Sequence, residues 1–254
     1  MDRLKLILTL FALLSLALTA DSETIRKTFL TTKPGRATMI SPQEAPPAPD
    51  SKYAPPYYLD CGREAPYKSR SARTRVLSSP DGTTDAYGET KARAEGGGCS
   101  NTSAVYVRQN GGVFQLVFFQ APTELTLGNG VRLIDWSKDG TKLLFDVLRW
   151  QYGADAAPGN NLWIYGPGVL KRVPLNRILR SFEEACSVSF EPLGFSATGD
   201  VAMRFSAKQD YDEEGEAALP KCQERRIAWL FDPVNNRLTQ TSYEYSVSKW
   251  GRLR

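Results

Sequence analysis

The stretch Asp135 to Val147, "DWSKDGTKLLFDV", reads as strand, tight turn, strand. Asp139-Gly140 supplies the backbone conformations a hairpin turn needs, and the Ser137 hydroxyl can bond the turn backbone. After the turn, Leu143, Phe145 and Val147 fall on one side of a strand, with Lys142 and Asp146 on the other. The same pattern returns in "SSPDGTTDAYGE", through Ser79-Pro80-Asp81-Gly82, and in "GFSATGDVAMRFSA", through Ser196-Ala197-Thr198-Gly199-Asp200. The three serines stand 58 and then 59 residues apart, the mark of a tandem repeat. In the third copy Val201, Met203 and Phe205 oppose Ala202, Arg204 and Ser206, whereas the first copy, Thr83 to Glu89, alternates poorly.

A second hairpin follows each of these. The turns fall at Asn110-Gly111-Gly112, at Gly166-Pro167-Gly168 and at Pro233 to Asn236, each preceded by an aromatic: Tyr106, Trp163 and Trp229. Each unit is therefore strand–turn–strand, a long connection, then strand–turn–strand. The fold class expected is all-β: tandem four-stranded antiparallel units, partial or small β-propeller-like, with one short helix. The helix is expected at "RILRSFEEA", capped by Asn176, with Ile178, Phe182 and Ala185 on one face, bridging the second and third units.

"SPDG" and "WSKDG", each followed by a short strand, resemble the Pro-Asp repeats of TolB-like β-propellers, in which Trp-Ser-Pro-Asp-Gly recurs in successive blades. Ser79–Gly82 matches the core of that motif, and Trp136–Gly140 matches with Lys138 in place of proline. The third copy departs further, with Phe195 for tryptophan and an inserted residue expected at Thr198–Asp200. The resemblance covers roughly residues 70–245 and implies a fold rather than an activity, since such propellers serve as binding scaffolds, peptidase companions and assembly factors. The period exceeds the ~40–45 residues usual for a propeller repeat, and three units fall short of the about 4 to 8 blades of a closed ring. Three units leave open sheet edges. The ends "SARTRVLSS" (Ser71–Ser79) and "QTSYEYSVSKW" (Gln240–Trp250) offer strands for a fourth unit. Otherwise two chains complete one ring, or the sheets pack as a sandwich.

The chain opens with Arg3 and Lys5, an apolar run from Leu6 to Leu18, and Ala20 before Asp21. This is the pattern of a signal peptide over residues 1–20, with a retained N-terminal anchor as the alternative. Removing Asp2, Arg3 and Lys5 from 32 basic and 28 acidic residues leaves 30 and 27, net +3. So even a balance gives no reason to expect nucleic acid as a partner. Residues 21–58 carry Pro34, Pro42, Pro46, Pro47, Pro49, Pro55 and Pro56 among sparse apolar residues, and read as a flexible Pro-rich linker ahead of a repeat domain over 59–254. Behind an export signal, Cys61, Cys99, Cys186 and Cys222 read as two disulfides. Cys61 and Cys99 straddle the first turn motif and Cys186 and Cys222 the third, which favours those pairings over the other two connectivities.

With no histidine in the chain, a Ser-His-Asp triad is excluded. "GFSATG" lacks the second glycine of a nucleophile elbow, and the glycine runs at Gly96 and Gly128 open no helix. One weak calcium candidate exists: Asp210, Asp212, Glu214 and Gly215 sit at positions 1, 3, 5 and 6 of a binding loop, but Lys221 takes the place of the bidentate glutamate. No cofactor is implied and no catalytic residue stands out. Trp136, Trp150, Tyr152, Trp163, Trp229 and Trp250 could line a groove that stacks on sugars or peptides, although such residues more often fill the core between blades; Trp150, Tyr152 and Trp250 are the candidate binding aromatics. The expectation is an exported, non-enzymatic binding or scaffold module of the bacterial cell envelope, periplasmic or secreted. Its partner would be an envelope protein or glycan, or a second copy in a homodimer, and no membrane span would remain after signal cleavage. The alternative is a secreted hydrolase acting on glycans or peptides through carboxylates.

Overall fold

Four-residue turns and period-two strands dictate hairpins, and hairpins are what the chain forms. A computed structural model describes residues 55–62, 68–95, 98–122, 127–151, 159–182, 186–209 and 225–254. All lie in one compact unit, Pro47–Arg254. The first sheet holds β1 (Arg70–Arg73), β2 (Leu77–Ser78), β3 (Thr84–Glu95), β4 (Gly98–Gln109) and β5 (Gln115–Gln120). The second holds β6 (Leu127–Trp136), β7 (Leu143–Gln151), β8 (Gly159–Gly166) and β9 (Val169–Arg172), and the third β10 (Cys186–Phe195), β11 (Val201–Gln209), β12 (Arg225–Asp232) and β13 (Arg237–Thr241). Every pairing is antiparallel, in the order β2-β3-β4-β5, β6-β7-β8-β9 and β10-β11-β12-β13. The tandem four-stranded architecture expected from the turns is the one observed.

β1 and β2 are two halves of one strand, both paired with β3. The break falls at Thr74, whose N–H donates to the Gly88 carbonyl and whose hydroxyl accepts from the Gly88 N–H, each at 2.9 Å. A short β14 (Arg252–Leu253) adds to the free edge of β2, with Arg252 opposite Ser78.

The three turn motifs occupy equivalent places, each joining the first strand of its sheet to the second. In the first, the Ser79 hydroxyl donates to Asp81 and accepts from the Thr84 N–H at 3.0 Å. Ser137 repeats this, donating to Asp139 at 2.6 Å and accepting from the Lys142 N–H at 2.9 Å. Ser196 accepts from the Asp200 N–H at 3.0 Å and pairs with the Thr198 hydroxyl at 2.8 Å. Thr198 thus stands in the aspartate's place and Gly199 in the glycine's. The expected insertion is absent: the third turn closes one residue sooner, Ser196 bonding to Asp200 where Ser79 bonds to Thr84. Gly82, Gly140 and Gly199 all have positive φ, 74°, 71° and 88°, which is why glycine recurs there. The later hairpin turns fall where expected, with Asn110, Gly111, Gly168 and Asn236 in left-handed conformations.

Burial explains how the sheets associate. Val131, Phe145 and Val147 of the second sheet pack with Ala86, Val105, Val107 and Phe118 of the first. Leu144, Leu162 and Ile164 pack on Phe195, Val201, Met203 and Phe205 of the third. The second sheet is thus covered on both faces. Asp146, expected on a polar face by alternation, is fully buried for that reason. Gly88 explains the weak alternation of the first copy: a Cβ there would come within 2.8 Å of Val131.

Other expectations need correction. The helix, α1 (Leu175–Leu179), begins earlier than read. Pro174, not Asn176, is at its N-cap, where the backbone N–H that proline lacks would have had no intrahelical partner. Its Leu175 and Ile178, with Phe182 beyond it, join the core between the second and third sheets. The two ends form no fourth unit among the described residues. Ser71–Ser79 belongs to the first sheet, and of Gln240–Trp250 only Gln240 and Thr241 are strand. Tyr57, expected in the linker, is 3% exposed, and its carbonyl lies 1.9 Å from where a Cβ on Gly130 would stand.

Cys61 and Cys99 form a disulfide, 38 residues apart in sequence, tying the Tyr57–Cys61 segment to β4. Closing a loop of that length is worth about 3–4 kcal/mol. The pairing of Cys186 with Cys222, the signal segment and nearly all of the linker fall outside the described residues. Among those residues no helix is long and apolar enough to cross a membrane.

The C-terminal segment ties the three sheets together. The Tyr243 and Tyr245 carbonyls accept from Arg204 of the third sheet at 3.2 and 3.3 Å. The Lys249 ammonium reaches the carbonyls of Ile134 at 3.3 Å and Leu193 at 2.5 Å. The Trp250 indole N–H donates to the Phe195 carbonyl at 3.1 Å. The Trp250 and Gly251 N–H groups donate to the buried Asp135 carboxylate at 3.0 and 2.9 Å. β14 then pairs with the first sheet.

Candidate functional site

The site grows from positions equivalent in the repeat. Five residues before each turn serine stand Thr74, Arg132 and Glu191. Opposite them across the hairpin stand Gly88, Asp146 and Arg204, and in the first sheet that pair is joined by one backbone bond and one from the Gly88 N–H to the Thr74 hydroxyl. In the second and third sheets it is an ion pair, with its sign reversed between the two.

In the second sheet the Asp146 Oδ2 accepts from the Tyr57 hydroxyl at 2.5 Å, the Asn160 amide at 2.9 Å and the Arg132 guanidinium at 3.2 Å. The strands make this convergence: Arg132 lies directly across from Asp146, and Asn160 comes from the next strand, two residues from the position facing Asp146. Asn160 also donates to the Tyr57 oxygen at 2.6 Å, and the Arg132 guanidinium lies 4.3 Å over the Tyr57 ring. Among the described residues Asp146 Oδ1 and Arg132 Nε are buried without a partner. Burial pushes the Asp146 carboxyl above the usual carboxylate range, against the opposing pull of Arg132, Tyr57 and Asn160.

In the third sheet Arg204 pairs with Glu191 at 3.1 Å, and the hydroxyls of Ser189 and Ser206 bond each other across the same two strands. The Tyr243 ring lies 5.0 Å from the Arg204 guanidinium. Tyr57, Arg132 and Asn160 on one wall, with Ser189, Phe190, Glu191, Arg204, Ser206 and Tyr243 on the other, line a cleft of about 280 Å³. Each charge on the walls has a partner of opposite sign, so the cleft offers donors and acceptors without a large net charge. Among the described residues Glu191 is the one carboxylate lining it, and Asp146 bonds to Tyr57 without lining it.

A second, more open groove of about 640 Å³ lies on the first sheet, lined by Arg70, Ser71, Lys91, Arg93, Ser100 and Thr102 among others.

The aromatics singled out from the sequence stand elsewhere. Trp150 is 7% exposed and packs on Tyr58, ring centroids 4.6 Å apart. Trp250 is half-buried at the C-terminal junction. Tyr152 and the calcium candidate Asp210, Asp212 and Glu214 fall outside the described residues. Sequence reading missed Tyr57, Arg132, Asn160 and Glu191. The available signal was the oppositely charged pair recurring at matched repeat positions. No family model matches the chain, and no curated protein shows significant similarity to it.

Proposed function

We propose that this chain is an exported, non-enzymatic binding module of the bacterial cell envelope. In this reading the three sheets act as propeller-like blades, in the manner of the Pro-Asp repeat proteins that their turns resemble, and hold a cleft that takes a small, uncharged polyhydroxyl unit such as a sugar of an envelope glycan. One observation carries it: the cleft is walled by the Glu191–Arg204 ion pair, the Arg132 guanidinium neutralised by Asp146, the Asn160 amide and two serine hydroxyls, all placed on paired strands, and by the phenols of Tyr57 and Tyr243 from flanking turns. Fixed donors and acceptors of that kind match hydroxyl groups, and the volume suits a ligand at the small end of the range for pockets. Glu191, the one carboxylate lining the cleft among the described residues and already paired with Arg204, favours binding over carboxylate-driven hydrolysis, which needs two such groups about 5–9 Å apart across the substrate. Export is supported by the N-terminal pattern and by the Cys61–Cys99 disulfide.

The test is NMR titration of residues 21–254 with mono- and oligosaccharides from envelope glycans. Binding should shift the amides of Ser189, Glu191 and Ser206, and a Ser206→Trp variant, which fills the cleft, should abolish it while leaving the fold intact by circular dichroism. If no saccharide shifts those amides at millimolar concentration, the reading fails.

A further inference from the structure

Each sheet ends in an outer strand paired on one side only among the described residues: β5, β9 and β13. Such an edge presents unpaired N–H and C=O groups, and proteins usually blunt it with charge, proline or shortness. β9, "VLKR", has four residues and two cations, and β13, "RLTQT", has five and one. β5, "QLVFFQ", is the longest of the three at six residues and carries neither charge nor proline. It also exposes Leu116 at 54% and Phe119 at 56%.

We propose that β5 is a self-association edge, at which two copies of this chain pair their Gln115–Gln120 strands antiparallel about a two-fold axis. The strand is self-complementary. With the axis between Val117 and Phe118, Gln115 stands opposite Gln120 of the second copy, and Leu116 opposite its Phe119. Leu116 and Phe119 share one face of the sheet, because their partners in β4, Tyr106 and Ala104, are two residues apart. Three-residue spacing would ordinarily put them on opposite faces; the register shift that leaves Val117 as the extra residue brings them together. The contact would extend the aromatic cluster of Tyr87, Tyr106 and Phe114 already on that face, where ring centroids lie 4.7 to 4.8 Å apart. The edge is neutral, so identical copies meet there without repulsion. The proposal does not depend on the cleft or its ligand.

Sedimentation of residues 21–254 at up to roughly 100 µM, where pairs with Kd in the micromolar range are populated, should show a dimer. Phe119→Lys should give a monomer with unchanged circular dichroism, and Val234→Lys, on the exposed turn of the third sheet, should leave the dimer intact. Register is read separately. Under a mild oxidant, a variant carrying both Gln115→Cys and Gln120→Cys should form a covalent dimer on a non-reducing gel, and either single change should not. A wild-type monomer at that concentration, or a dimer that survives Phe119→Lys, overturns the proposal; cross-linking by either single variant overturns the register.

Discussion

Asp135 is the residue on which the most separate parts of the chain converge. Its buried carboxylate sits at the end of β6 and accepts from Trp250 and Gly251 of the C-terminal segment, while its other oxygen faces Gly194 and the Phe195 N–H of the third sheet. An unsatisfied buried donor costs about 1–3 kcal/mol. Asp135→Ala removes the acceptor of the Trp250, Gly251 and Phe195 N–H groups, so it should lower unfolding free energy by at least about 2 kcal/mol in urea titration. Asp85 makes a prediction of a different kind. It accepts from Ser78 at 2.5 Å and Arg108 at 2.8 Å, with Arg254 at 3.9 Å. Burial pushes its pKa upward, but the Ser78 hydroxyl and the two guanidiniums outweigh it and hold the carboxyl below the usual range. A depressed folded-state pKa gives stability that is present above the unfolded carboxylate range and lost as pH falls through the folded value. Asp85→Asn should therefore flatten the acid limb of a stability–pH profile between about pH 5 and 2 relative to wild type. An unchanged acid limb would mean that the Ser78–Asp85–Arg108 cluster contributes nothing to folding.

At the scale of elements, the turns are the units that repeat, and they touch one another. A Cβ on Gly140 would meet the Ser79 Cβ at 3.3 Å and Asp81 Oδ1 at 3.4 Å, so successive turn tips are neighbours. Gly168 has a similar φ, 68° against 71°, but open space around it. Both alanine variants carry the left-handed penalty of about 1 kcal/mol. Gly140→Ala adds crowding between two turns and should lower Tm by more than Gly168→Ala; equal losses would show that the tips do not meet. These turns were readable because their chemistry is local: a serine, an aspartate and a glycine within four residues fix a hairpin wherever they occur. The Cys61–Cys99 pairing was readable for a related reason, since the two cysteines straddle the first turn motif. The cleft was not. Tyr57 and Asp146 are 89 residues apart, and nothing near either announces the other. Asp146 looked like a solvent-facing residue because alternation assumes one wet face, and the second sheet has none. Helix α1 was misplaced by a few residues because Asn176 is a common cap, and the proline two residues before it decided the start instead.

At the scale of the whole described unit, three sheets in a row leave two flanks and an inner edge that no further sheet covers. The C-terminal residues answer part of that. They run against Arg204 of the third sheet, cross Asp135 of the second and finish as a strand on the first. The Trp136 indole, donating to the Leu77 carbonyl at 2.9 Å, ties the first and second sheets at the same place. This junction makes one cooperative unit of three tandem sheets. Deleting Lys249–Arg254 and following urea unfolding by tryptophan fluorescence and by circular dichroism tests it most directly. The expected result is a loss of at least about 3 kcal/mol, from stranded polar groups and lost apolar burial, with the two probes no longer coinciding as the sheets uncouple. A truncated chain that unfolds at the wild-type midpoint in a single coincident transition would contradict it.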